Sequence, residues 1–240
     1  SGGIHDGVKA SALGGPIDGL LCEYALLKET GALPIPEHLS FDEAATLPCA
    51  GLTAWHCLIE GGGARAGQTA LLLGTGGVSI FAQQIAEVSG IRTILTSSSD
   101  EKLARAEALG ADVLINYRAH PNWEEKVMEV TDGKGVDLVV EVGGAGTLEK
   151  SIASSRVGGR ISLVGILTGG QVDPTSIMRK SLTLQGIYVG PRDMFERFNA
   201  ALLQNNIHPV IDATVEFADA KEAYRMMEKA GHFGKIVVTI

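Results

Sequence analysis

Leu71-Leu72-Leu73-Gly74-Thr75-Gly76-Gly77-Val78-Ser79 is the stretch on which the reading of this chain turns. A short leucine run of this kind reads as a buried strand, and it passes straight into glycines and then into a helical segment. Gly74 suits a tight turn, and Gly76 lets the backbone approach a pyrophosphate at the N-terminus of the following helix, with Thr75, Gly77 and Val78 completing the loop. The third glycine of a dinucleotide fingerprint is replaced by Ser79, which is small enough for close packing of helix on strand. Taken alone, such a motif is equally a glycine-rich turn without a ligand. Its place at the head of a regular alternation favours the nucleotide.

Beyond it, short β-branched or leucine-rich runs alternate with helical segments, the mark of βαβ units and a parallel sheet. Strands are predicted at 69–73, 91–96, 112–115, 136–141, 159–164 and 182–188, and helices near 77–89, 100–109, 122–131, 146–154, 174–179 and 192–205. The expected fold class is α/β, a doubly wound six-stranded parallel sheet of the Rossmann type, with ligands outside the carboxyl ends of the strands. Ahead of it, Leu20 to Leu27 reads as a strand without an obvious partner. Ser40 and Glu43 have the spacing of a capping box, and after Pro48 a helix is expected over Leu52 to Glu60. The tail past His208-Pro209 carries a helix near 218–230 and a strand at 235–240.

The end of the second strand bears on which dinucleotide fits. An NAD site usually places an acid there, about 20 residues past the glycines, where it bonds the ribose 2′-hydroxyl and would repel a 2′-phosphate. This chain has Thr96-Ser97-Ser98-Ser99, with Lys102 one turn into the next helix. Hydroxyls and an ammonium at a helix start make an anion pocket suited to NADP. The plainer alternative is that Ser99 only caps the helix while Lys102 points into solvent. Tyr117, after the third strand, is placed either against the adenine ribose phosphate or in an exposed loop. Gly143 and Gly165-Ile166, after the fourth and fifth strands, would let a nicotinamide ribose and carboxamide lie on backbone, or are ordinary turns.

Composition closes off other classes. Of 240 residues, 45% are hydrophobic and 20% charged, which suits a globular chain with a real core. The formal charge of −8, without long like-charge blocks, argues against a nucleic-acid binder. No apolar run approaches a membrane span, no secretory signal is visible, and the scattered Cys22, Cys49 and Cys57 fit a reducing, cytoplasmic setting. Cys49, His56 and Cys57 resemble metal ligands in type only. Adjacent residues on a helix diverge by about 100°, so His56 and Cys57 would not meet one ion. The 31 glycines are about 13% of the chain against roughly 7% in average usage, so glycine-dependent turns are a theme of the fold. A methyltransferase on a similar sheet is disfavoured because the second strand ends in serines rather than an acid.

Seven stretches, DGLLCEYALL (18–27), LSFDEAATLPCAGLTAW (39–55), LLLGTGGVS (71–79), TSSSDEKLARAEALGAD (96–112), VVEVGGAGTL (139–148), GRISLVGIL (159–167) and HFGKIVV (232–238), resemble the medium-chain dehydrogenases/reductases. The likeness is to the zinc-type alcohol dehydrogenase-like and NADPH:quinone oxidoreductase-like branch. It implies an NADP-preferring oxidoreductase that moves a hydride to or from a small carbonyl, alcohol, quinone or enone substrate. It also implies a partial GroES-like catalytic domain at 1–45, a nucleotide-binding domain at 46–205 and a return to the catalytic domain at 206–240. The chain then looks like a C-terminal piece lacking most of the GroES-like domain. By the same resemblance Thr53 faces the nicotinamide and Lys235 lies near the cofactor. Cys49 matches one zinc ligand of zinc-dependent relatives, but a single Cys cannot hold the ion, and zinc is not expected here. The apolar edge at 182–188 would pair with its copy in a homodimer. A non-catalytic nucleotide binder or inactive fragment is the competing expectation.

Overall fold

The computed structural model describes residues 6–166 and 168–240, so the start of the expected 1–45 segment and Leu167 of the 159–167 stretch lie outside the described residues. The first helices are short: α1 (Asp6–Lys9), α2 (Phe41–Ala45) and α3 (Leu52–Trp55). The capping box of α2 is formed as the spacing predicts, with the Glu43 N–H donating to the Ser40 hydroxyl and the Ser40 N–H donating to the Glu43 carboxylate. Wide five-residue helical turns, Leu47–Gly51 and His56–Glu60, flank α3, so helical structure begins at Leu47. Pro48 sits in the first turn of that stretch, where its missing N–H costs nothing. Cys49, ahead of the expected helix start at Leu52, is therefore in a helical turn.

The glycine-containing stretch opens the sheet. β1 (Thr69–Leu73), α4 (Gly77–Val88), β2 (Arg92–Ser97), α5 (Asp100–Ala108), β3 (Val113–Asn116), α6 (Trp123–Val130), β4 (Val136–Glu141), α7 (Ala145–Ser154), β5 (Ser155–Leu163), α8 (Pro174–Arg179), β6 (Thr183–Gly186) and α9 (Arg192–Asn205) follow in order. The six strands pair in the order β3-β2-β1-β4-β5-β6, all parallel. The strand order reverses between β1 and β4, where a doubly wound sheet opens its crevice. Both faces are covered, and the alternation of side chains along β1 divides the core accordingly. Ala70 and Leu72 pack with α3, α4 and α9 residues such as Leu52, Phe81 and Phe198, whereas Leu71 and Leu73 pack with Trp123 and Val127 of α6 and Leu148 and Ile152 of α7.

Beyond α9 the chain forms β7 (Ile211–Glu216), α10 (Ala220–Glu228) and β8 (Lys235–Thr239), with β7 and β8 paired in parallel as a separate two-stranded sheet. The reading of the tail gave only the later strand. Ile-Asp-Ala-Thr-Val-Glu buries neither face fully, so it lacks the apolar run that marks a core strand.

Three expectations are corrected. Leu20 to Leu27 forms no strand, and Leu20, Leu21, Tyr24, Leu26 and Leu27 are exposed; with no neighbouring strand among the described residues, nothing takes up the backbone hydrogen bonds of an extended segment. β5 begins at Ser155 rather than near residue 159, because Ser155 is already in register with Val136 across an irregular pairing. β6 ends at Gly186, short of the expected residue 188.

Candidate nucleotide site

The turn after β1 is held by bonds that leave its outer surface open. Gly74 has φ +74°, the left-handed region in which a side chain is strained, and its N–H donates to the Thr96 hydroxyl at 3.2 Å, tying the turn to the end of β2. A Cβ placed on Gly74 or on Gly76 would meet nothing within 4 Å. The space above these two glycines is therefore a cradle of bare backbone, closed by side chains at any other residue type. Gly76 then caps α4, a twelve-residue helix whose first N–H groups have no acceptor within the helix, the arrangement that receives an anionic phosphate.

Gly77 answers a different need. A Cβ there would lie 2.6 Å from Cδ of Lys235 and 3.1 Å from Cβ of Ala50, so the glycine allows the tail to close on the helix start. Thr75 is buried at the turn while Val78 is half-buried behind it. Ser79 is 1% exposed, and its hydroxyl donates to the Leu73 carbonyl at 2.6 Å. The replacement of the third glycine thus keeps the close approach of helix to strand and adds a bond that a glycine lacks.

At the end of β2, Thr96 and Ser97 are buried and Ser98 is half-buried. Ser99 caps α5, its hydroxyl accepting from the Lys102 N–H at 3.4 Å, while the Ser99 N–H reaches the Ser97 hydroxyl at 3.4 Å. The Lys102 side chain is tied down rather than left free in solvent. Its ammonium donates to the Ala230 carbonyl at 3.0 Å, at the exit of α10, and so bridges the β2 end to the tail. Tyr117 follows β3, its N–H donating to the Ser97 carbonyl at 3.0 Å, and the residue is 40% exposed.

The ends of β4 and β5 approach closely. A Cβ on Gly165 would fall 2.3 Å from the Val142 carbonyl carbon and 2.5 Å from the Gly144 nitrogen, both backbone, so only glycine fits. A Cβ on Gly143 would instead meet the Thr147 side chain, 2.4 Å from its hydroxyl oxygen, and Ile166 projects outward at 92% exposure. Beneath this loop lies Glu141, a residue that reading for glycines passed over. It is 0% exposed, yet its Oε1 accepts from the Gly143 N–H at 2.8 Å, the Gly144 N–H at 3.1 Å and the Thr147 hydroxyl at 2.6 Å, and its Oε2 accepts from the Ser151 hydroxyl. Above it, Thr168 donates its hydroxyl to the Gly143 carbonyl at 3.0 Å and accepts from the Gly146 N–H at 2.8 Å. A strand ending in an acid two residues before a pair of glycines was the available signal.

The remaining candidates are dispersed. Thr53 is buried in α3. Among the described residues no three His, Cys, Asp or Glu side chains are grouped to hold a metal. Cys49 is exposed, the His56 Nδ1–H donates to the Val189 carbonyl at 2.6 Å, and burial alone pushes the Cys57 thiol up to about 12. Among the described residues no helix is long and apolar enough to cross a membrane.

A six-stranded doubly wound parallel sheet with an open glycine turn at its switch point places the chain in the α/β class, with the architecture of the Rossmann fold. The family model described as zinc-binding dehydrogenase matches residues 77–205. A zinc-type alcohol dehydrogenase-like protein of Schizosaccharomyces pombe is 41% identical over 238 residues, covering 96% of this chain and 69% of its own length. A crystal structure of an NAD-dependent alcohol dehydrogenase superposes with TM-score 0.88 at 35% identity, covering 95% of this chain and 67% of that one. The structure of a 2-octenoyl-CoA carboxylase reductase in complex with NADP and 2-octenoyl-CoA superposes with TM-score 0.84 at 26% identity, over 92% of this chain and 54% of that one. The chain belongs to the medium-chain dehydrogenase/reductase family, in its zinc-type alcohol dehydrogenase-like and quinone oxidoreductase-like branch. It spans roughly two thirds of the length of the relatives it matches.

Proposed function

We propose that this chain is the nucleotide-binding part of an NADP(H)-dependent oxidoreductase acting on a small carbonyl, alcohol, quinone or enone. The observation that carries the reading is the pairing of a bare glycine cradle with a β2 that ends in Ser97 and Ser98 rather than in an acid, with Lys102 one turn into α5 and the Asp100 carboxylate bonded away to Asn116. A carboxylate there would bond a 2′-hydroxyl and repel a 2′-phosphate; hydroxyl donors and an ammonium do the reverse. Lys102 keeps two of its three N–H donors after bonding Ala230, and Tyr117 is joined by its N–H to Ser97. The cradle with Thr75, Gly77 and Val78 would hold the pyrophosphate, and the Gly143 and Gly165-Ile166 backbone, with Thr53 and Lys235, would border the nicotinamide half.

The bound cofactor supplies the hydride chemistry. The chain's own contribution is position. Glu141 and Thr168 fix the loop at 143–146 from below and above, so the backbone that faces the ring does not have to be ordered when the cofactor arrives. Residues 1–45 and 206–240 would belong to the catalytic domain, and the outer edge of β6 would pair with a second copy of the chain.

Fluorescence titration with NADPH and NADH tests the reading. NADPH is expected to bind at least about tenfold more tightly, a difference of roughly 1.4 kcal/mol, and Lys102→Ala is expected to remove most of that preference while leaving NADH unchanged. Equal affinity for the two cofactors, or NADPH binding untouched by Lys102→Ala, would overturn it. Because one close structural relative is NAD-dependent, the titration decides between live alternatives. Cofactor binding without NADPH oxidation across aldehyde, enone and quinone panels would instead support a non-catalytic binder.

A further inference from the structure

The tail between α10 and β8 is fastened at both ends to the loops that form the nucleotide site. At one end, the Ala230 carbonyl holds the Lys102 ammonium at 3.0 Å beside the serines of β2. At the other, the Gly234 N–H donates to the Thr75 carbonyl at 2.9 Å within the glycine turn, and Lys235 covers Gly77. Phe233 is anchored between them, 1% exposed, with the Arg105 guanidinium 4.3 Å over its ring. His232 lies in the short run of chain between these two fastenings.

Its surroundings lack a partner for it. Nδ1 of His232 is buried without a hydrogen bond among the described residues. The charged groups facing it are Lys102 from α5, Asp212 from β7 and Lys235 from β8. Asp212, the one acid, is already paired with Arg105 at 2.7 Å. Burial, then the charge of Lys102, and less strongly that of Lys235, hold His232 below the usual histidine range against the pull of Asp212. The imidazole thus sits in a cationic setting whose one acid is already committed to Arg105.

We infer that His232 is a specificity-determining residue of the 2′-phosphate site, taking one proton from solvent when the phosphate of NADP(H) enters between it and Lys102. The inference rests on the NADP reading above. A dianion placed beside an imidazole favours the charged ring, so binding raises the affinity of His232 for its proton. The linkage runs one way: affinity for the phosphorylated cofactor is greatest where the bound ring is protonated and falls as pH rises through the bound-state pKa. For each tenfold gain in proton affinity on binding, NADPH weakens about tenfold across that range. NADH, without the phosphate, shows no such slope. The phosphate's own second ionisation, near pH 6, acts in the opposite sense, since the dianion binds better.

Titration calorimetry of NADPH and NADH, in two buffers of different ionisation enthalpy between pH 6 and 8.5, reads the proton directly. Wild-type protein is expected to take up a substantial fraction of a proton with NADPH and none with NADH. His232→Asn should lose the uptake and bind NADPH several-fold more weakly near pH 6, with NADH unchanged. His232→Lys, permanently charged, should also lose the uptake yet keep tight NADPH binding at pH 8, which a merely structural histidine would not allow. Equal uptake in wild type and His232→Asn, or uptake with NADH, overturns the inference. If NADPH is preferred, Lys102→Ala removes the preference and both His232 variants behave as wild type, then only the role of His232 fails. If wild type binds NADPH no better than NADH, the NADP reading itself fails, and this inference with it.

Discussion

Replacing Glu141 tests whether the loop at 143–146 is held by a buried anion. In Glu141→Ala the N–H groups of Gly143 and Gly144 lose their acceptor in a place that water does not reach, at about 1–3 kcal/mol each. The Thr147 hydroxyl has a second acceptor in the Gly144 carbonyl at 3.2 Å, so its loss is small. Removing a buried charge returns part of the cost of desolvating it. The net expected destabilisation is about 3–5 kcal/mol. Glu141→Gln should behave differently. Its amide oxygen can keep the three bonds made by Oε1, and its NH₂ can face Ser151, whose hydroxyl accepts as readily as it donates. What goes is charge assistance, at about 1–2 kcal/mol. Urea unfolding followed by circular dichroism, with a common m-value, measures both. Glu141→Ala within about 1 kcal/mol of the parent, or Glu141→Gln costing as much as Glu141→Ala, would refute the reasoning: the first by showing that the donors find other partners, the second by showing that shape alone is lost.

Gly165→Ala should lower the melting temperature more than Gly74→Ala, because its Cβ meets backbone of Val142 and Gly144, whereas Gly74→Ala meets only the φ penalty of about 1–2 kcal/mol; a thermal scan giving the reverse order would contradict the packing argument. Cys57, buried and held at about 12, should resist a thiol reagent at pH 8 while exposed Cys49 reacts, and labelling mapped by mass spectrometry would show the contrary if Cys57 is modified first. Burial works against the charge of Glu43, but the Ser40 N–H, His208 and the Ser40 hydroxyl together hold its carboxyl below the usual range. The stability it adds is present above the unfolded carboxylate pKa and is lost as pH falls through the folded value. Wild-type melting temperature should therefore drop more steeply than that of Glu43→Gln on acidification below pH 5, and parallel profiles would count against the linkage.

The sheet was legible because each strand carries its own apolar run and each crossover its own helical period, both local properties. β1, α4, β4 and α9 match their expected ranges to within a residue. The glycine turn was legible for the same reason, since the left-handed backbone at Gly74 is a local demand that glycine meets without strain. Less local features escaped. β7 has no apolar run and exists because β8 lies beside it. Leu20 to Leu27 has the run but no partner, and forms bends and irregular chain instead of a strand.

The candidate site divides along the same line. Which residues would border a nucleotide at the β1 turn and the β2 end was written in the order of glycines, serines and one lysine. That Lys102 reaches across to Ala230, that Lys235 closes on Gly77, and that His232 stands unpartnered between them could not be read from the chain, because the partners lie far apart in sequence and meet only through the tail. Glu141 shows the limit most plainly. Sequence placed an acid at a strand end; only the fold, by withdrawing water from it and turning four donors toward it, made it the support of the loop above.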